Sequence, residues 1–253
     1  MQDVFRISAM DMEPMSPIDI EYRFDLDDGQ CETFKAVLDS ETLLILPPFT
    51  ELFPSWCALE FNQCPNCPLT EAPQCPAAVN MVGLVERFDQ LLSHDRTTVR
   101  VTMAERTICS HTSIQRGICS LMGLLMATSS CPLTAFFKPM ARFHLPFASM
   151  EETIWRATSI YLMAQYFYDK SGNTPDLSFD GLSTIYRQIQ IVNSSFAKRL
   201  RYACSYDSMI NAIVLLDMFA KSMPDAIETS LEQLRDLFTP YLFSGNICRP
   251  SLF

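Results

Sequence analysis

The sequence predicts an α+β fold, with a small antiparallel N-terminal sheet packed against a mainly helical C-terminal half. Three observations predict it. IDIEYRFDLDDG alternates strictly, with Ile18, Ile20, Tyr22, Phe24 and Leu26 on one face and Asp19, Glu21, Arg23, Asp25 and Asp27 on the other, the pattern of a strand with one wet side. Asp28-Gly29 follows as a hairpin signal. From residue 111 onward the apolar residues recur mostly at helical spacing, and no internal repeat divides them.

Residues 1–17 read as a loose leader, and 18–243 as one domain, sheet-rich over 18–110 and helical over 111–243, followed by a tail, 244–253. The return strand falls near ETFKAVL, with Phe34, Ala36 and Leu38 inward, and TLLIL (42–46) reads as a third strand. The loop 47–76 is rich in Pro and Cys and has no period. So long an irregular stretch is uncommon in a compact chain unless something organises it. Pro76 suits a first helical turn, and Met81, Leu84, Val85, Phe88, Leu91 and Leu92 form the apolar stripe that follows. TTVRVTM is a further strand. In IQRGICSLMGLLMATSS, the small residues Ser120, Gly123 and Ala127 predict the close approach of another backbone. KPMARFHLPF reads as a Pro-bounded link. Ser149-x-x-Glu152 is a capping box opening MEETIWRATSIYLMAQYFY. That helix is apolar nearly all round and is predicted to be central and buried. Helices are also predicted at 180–203, 207–222 and 225–239, the last opened by Asp225-x-x-Glu228.

The net charge of −10 disfavours phosphate backbones, so nucleic acid is not an expected partner. Lys198, Arg199 and Arg201 form the one compact basic run and read as a solvated helix face. The longest apolar stretch, ICSLMGLLMA, is far short of a membrane span, and the N-terminus lacks the apolar segment of a signal peptide. These features predict a cytoplasmic protein with no membrane partner, in which the ten cysteines stay reduced. Buried thiols and metal ligands are then the two readings open to them.

Four cysteines are followed at once by proline: Cys64-Pro65, Cys67-Pro68, Cys75-Pro76 and Cys131-Pro132. Chance pairing of ten cysteines with sixteen prolines in 253 residues would give fewer than one. Proline fixes its own φ and keeps the preceding residue extended, so each such thiol sits on a stiff backbone. Thiolates suit zinc, copper(I) and iron–sulfur clusters. The spacing offers one C-x-x-C knuckle, a third local cysteine and a remote fourth. That arrangement predicts a metal-binding protein with a four-cysteine centre at Cys64, Cys67, Cys75 and Cys131. A [4Fe–4S] cluster is preferred to zinc because a zinc ribbon normally supplies two knuckles. Its role would be structural, electron-transferring or redox-sensing. His144 and Arg142 stand in the link beyond Cys131, where they could reach the centre as outer partners.

The stretches CPNCPL, CPAAVNMVGLVERF and SLMGLLMATSSCPLTAFFKPMARFHLPFASMEETIWRATSIYLMAQYF resemble an uncharacterised bacterial family known only as a domain of unknown function. The resemblance covers most of 18–240. It implies a shared fold and brings no activity, substrate or catalytic residue with it.

Two other function classes stay open. One is a metal-free interaction or signalling module, meeting an unknown protein partner through exposed aromatics near Trp56. The other is an enzyme using Arg142, His144 and Glu152, since a histidine beside carboxylates can act as a general base. Against that, Glu151 and Glu152 complement a helix dipole and His144 fits a satisfied place between Phe143 and Leu145. His111 and His94 read as turn and helix-end residues. There is no G-x-S-x-G, P-loop or G-x-G-x-x-G.

Overall fold

The computed structural model describes residues 16–46 and 52–243. Strand β1 (Ile18–Leu26) turns at Gly29, whose φ of +86° suits glycine, and returns as β2 (Cys31–Leu38). After helix α1 (Pro76–Phe88), strands β3 (Arg96–Thr102) and β4 (Thr107–Ser113) complete an antiparallel sheet of order β2-β1-β3-β4. The alternation of β1 places Ile20, Tyr22 and Phe24 at 1 % exposure or less, with Ala36, Leu38, Val99 and Val101 beside them. TLLIL forms no strand, only an isolated bridge between Leu38 and Ile45. β4 is an additional edge strand whose side chains are mostly polar and half open, so no alternation announces it.

The helical half comprises α2 (Ile114–Ala127), a short α3 (Lys138–Arg142) inside the link, α4 (Met150–Lys170), α5 (Asp180–Ala203), α6 (Ser208–Leu234) and a final turn, α7 (Thr239–Phe243). No helix among the described residues is long and apolar enough to cross a membrane. α2 lies against the sheet, and the close approach occurs at Gly117. A Cβ there would run into the Phe24 ring, whereas at Gly123 it would stand an ordinary 3.6 Å from Leu216.

Two expectations about the helices are overturned. α4 is peripheral, not central: only Ile154, Ala157 and Thr158 are buried, and its outer half is exposed. Its cap is as expected, with Ser149 and Glu152 exchanging both capping-box bonds. α6 runs straight through Pro224 instead of restarting at Asp225. A proline inside a helix leaves the carbonyl four residues back without a donor, here that of Ala220, which is 3 % exposed. Gln190 Nε2 of α5 donates to that carbonyl at 3.1 Å and fills the vacancy.

Replacing Gln190 by leucine therefore leaves a buried acceptor unpaired and is expected to cost about 1–3 kcal/mol in denaturant unfolding. In a Pro224→Ala background the helix supplies the missing N–H, and the same replacement should cost much less. Equal costs in both backgrounds would show that the two residues are not coupled.

The buried residues form two clusters. The larger joins the sheet, α1 and α2 to the C-terminal half of α5 and the N-terminal half of α6. The smaller, with Ile154, Ala157, Leu182, Tyr186 and Met223, joins α4 to the other halves of α5 and α6. The seam between the clusters is where the chain leaves a cavity.

Candidate functional site

The four-cysteine centre is not formed. Among the described residues no group of three or more His, Cys, Asp and Glu side chains is placed to hold a metal ion. Cys64 lies near enough to Cys75, Cys131 and Cys67 to feel their charges, but as one buried thiol among others. Burial, then the neighbouring Cys75, pushes the Cys64 thiol up to about 11. Burial raises Cys57 to about 12 and lifts Cys131 as well. Without such a grouping the metal-binding reading is overturned, in its [4Fe–4S] and zinc versions alike.

The prolines serve the backbone instead. Cys75 is the extended residue that caps α1, with Pro76 in the first turn. Its N–H donates to Cys57 O at 2.8 Å, and the Cys67 N–H donates to Cys64 O at 2.9 Å, closing the C-x-x-C turn.

An arginine organises this segment. Arg199 of α5 is 1 % exposed, although the basic run predicted a solvated face; Lys198 and Arg201 are exposed as expected. Its guanidinium donates to the carbonyls of Trp56 (2.6 Å), Ala58 (2.8 Å) and Leu59 (2.8 Å). The Phe61 ring lies 6.0 Å from its central carbon. Asn66, inside the C-x-x-C turn, adds a second tie by donating to the Gln188 carbonyl and side-chain oxygen. Trp56 is 6 % exposed and Phe53 and Phe61 are half-buried, so among the described residues no aromatic of the 52–61 segment stands fully open. Phe49 lies outside the described residues.

The enzyme constellation does not assemble either. Arg142 lies over the Phe143 ring, 5.6 Å from its centre, and Glu152 is engaged with the Ser149 N–H. His144 Nε2 is 2.5 Å from the Tyr22 hydroxyl, which is itself 2.9 Å from Ser120 Oγ. This chain ties the link between α3 and α4 to β1 and α2. Burial, aided by the positive charge of Arg156, depresses the His144 pKa to about 3. An imidazole so weakly basic and already bonded is poorly suited to general-base work at neutral pH.

The His144 shift has a stability consequence of definite sign. The unfolded chain takes up a proton below about pH 6.5, while the folded chain keeps His144 neutral down to about 3. Its contribution is complete above the unfolded value and is lost as the pH falls through that window, by at most ~1.4 kcal/mol per unit and less where the cavity admits water. Unfolding midpoints at pH 7 and 5 should differ more for the native sequence than for His144→Gln. An equal difference would mean that His144 is not held neutral.

His144 also lines the cavity, whose volume is about 540 Å³. Leu124 of α2, Phe137 and Leu145 of the link, Ile189 of α5 and Phe219 of α6 make its walls largely apolar. Exposed Arg116, Met218 and Ser222 carry its lining to the surface. Three polar groups face it with bonding capacity to spare. Asn193 is 2 % exposed and Tyr186 5 % exposed, yet neither side chain has a hydrogen-bond partner among the described residues. Arg156 of α4 donates from one nitrogen to the carbonyls of Met140 (2.8 Å) and Phe143 (2.9 Å), and no carboxylate pairs with it among the described residues. Burial lowers its pKa, and the nearby Tyr186 and Glu152 oppose that effect.

None of these three was singled out from the sequence, though signals existed. Arg156 is the one cation between Thr153 and Asp169 in an apolar helix, and Asn193 interrupts the stripe Tyr186, Ile189, Phe196, Leu200 at helical spacing.

Residues 20–239 match the model of a family described as a domain of unknown function (DUF6901), and the chain belongs to that family. No curated protein and no solved structure matches the chain.

Proposed function

From membership of DUF6901, a family with no assigned activity, we propose that the protein is a metal-free binding protein for a small, largely apolar molecule with one anionic head group, a carboxylate being the simplest. The observation that carries this reading is the pairing of an apolar cavity of about 540 Å³ with a guanidinium at its wall, Arg156, that no carboxylate of the described residues pairs with. Ligand sites are commonly concave, mainly apolar and a few hundred Å³ in volume, with a small number of polar groups fixing orientation. An amide and a phenol without protein partners at a cavity wall can donate to acceptors that a ligand supplies. Asn193 and Tyr186 meet that description. The guanidinium fork fits a carboxylate with two parallel bonds, and the neutral His144 adds no second charge.

The test is calorimetric titration with myristate and with the matching alcohol. The reading expects saturable binding of myristate at one molecule per chain, and weaker binding of the alcohol. Failure of both to bind would contradict it.

A further inference from the structure

The outer face of α4 presents a run of exposed large apolar side chains. Trp155 is 42 % exposed, Leu162 41 %, Met163 61 %, Tyr166 56 % and Phe167 61 %. The face continues onto the C-terminal turns, because Phe238 stacks on Trp155 at 5.6 Å and Tyr241 packs on Phe238. Leu237, Tyr241 and Leu242 there are 58 to 70 % exposed. With large side chains about half open, each offers on the order of 100 Å². The face then amounts to roughly 800 Å², above the ~300–600 Å² of the largest apolar patch on an ordinary monomer. It equals the ~800 Å² per partner of a standard interface.

The spacing identifies the occupant. Glu152, Trp155, Ser159, Leu162, Tyr166 and Asp169 follow one another at intervals of three and four residues, the repeat of a helix-pairing seam. The series of intervals reads the same backwards, so the seam can keep register with itself in an antiparallel pair. Trp155 then lies opposite Tyr166, and the small Ser159 opposite the larger Leu162, near the centre. At the ends Lys170, whose ammonium lies 5.5 Å from the Tyr166 ring centre, comes opposite Glu151 of the second copy and offsets the meeting of Asp169 with Glu152. The helix dipoles run antiparallel.

We propose that the protein forms a two-fold homodimer through an antiparallel pairing of α4 with α4 of a second copy, flanked by the C-terminal turns. A two-fold interface uses the same patch on both subunits and closes the assembly at two chains. The proposal is independent of the cavity reading.

Sedimentation equilibrium over a wide range of protein concentration tests it. The native chain is expected at twice its monomer mass, and Leu162→Glu and Tyr166→Glu at the monomer mass with an unchanged far-ultraviolet spectrum. Because both positions are exposed, the variants should fold. A second measurement uses spin labels at Ser159→Cys, which should be close to each other across the two-fold. A native monomer at every concentration overturns the proposal, whether the face then proves to be covered by residues 244–253 or to bind lipid vesicles. So does a dimer that survives both glutamates, or an assembly that grows beyond two chains.

Discussion

Replacing Arg199 by methionine should destabilise the protein by ~3–5 kcal/mol, the largest single-residue effect expected outside the apolar core. The side chain is 1 % exposed and ends on three backbone carbonyls of the 56–59 segment. Hydrogen bonds to charged groups are each worth ~1.5–3 kcal/mol, and the carbonyls left behind lie where water reaches them poorly. Methionine keeps much of the volume and removes every donor. Lysine keeps the charge but replaces a planar fork with one compact ammonium, so it should recover only part of the loss. The measurement is guanidinium unfolding, with limited proteolysis of the native state alongside. Cleavage within 52–75 should appear in Arg199→Met before global unfolding. A loss under 1 kcal/mol, with the segment still resistant, would mean that something other than this arginine holds it.

The second large effect concerns ligand affinity. Arg156→Met should weaken myristate binding by ten- to a hundredfold, the equivalent of the ~1.5–3 kcal/mol of a charge-assisted hydrogen bond. The matching alcohol should lose little, because its contacts with the apolar walls remain. This selectivity separates a charge effect from a collapsed cavity. Arg156 also donates to the Met140 and Phe143 carbonyls, so the variant will lose some stability. A parallel loss for acid and alcohol would assign Arg156 a purely structural role.

The β1–β2 hairpin was legible because its signals are local. The period of β1 decides which face is buried, and Asp28-Gly29 decides where the chain turns. The long helices were legible for the same reason, down to the capping box at Ser149. What a sequence pattern cannot carry is the identity of the neighbour. α4 has the composition of a core helix, but α5 and α6 cover one side of it only, so its remaining apolar residues face outward. Pro224 reads as a break because the donor that rescues α6, Gln190, comes from thirty residues away.

The loop 47–76 shows the same limit in its sharpest form. Its irregularity correctly asks for an organiser. Four Cys-Pro pairs suggest a metal, but the organiser is Arg199, more than 120 residues further along and hidden inside a basic run. The Cys-Pro pairs instead set turns and a helix start. The cavity was illegible as a whole, because it arises where two separate cores fail to merge. His144 was noticed for its acidic neighbours in sequence, yet its bonded partner is Tyr22 on the first strand.

The cavity's role is tested most directly by a crystal structure of the protein with a bromine-labelled long-chain carboxylate, located by anomalous scattering. The account predicts the bromine among Leu124, Ile189 and Phe219, with the carboxylate within hydrogen-bond distance of Arg156 and of Asn193 or Tyr186. A carboxylate bound elsewhere on the protein, with this cavity empty, would contradict it.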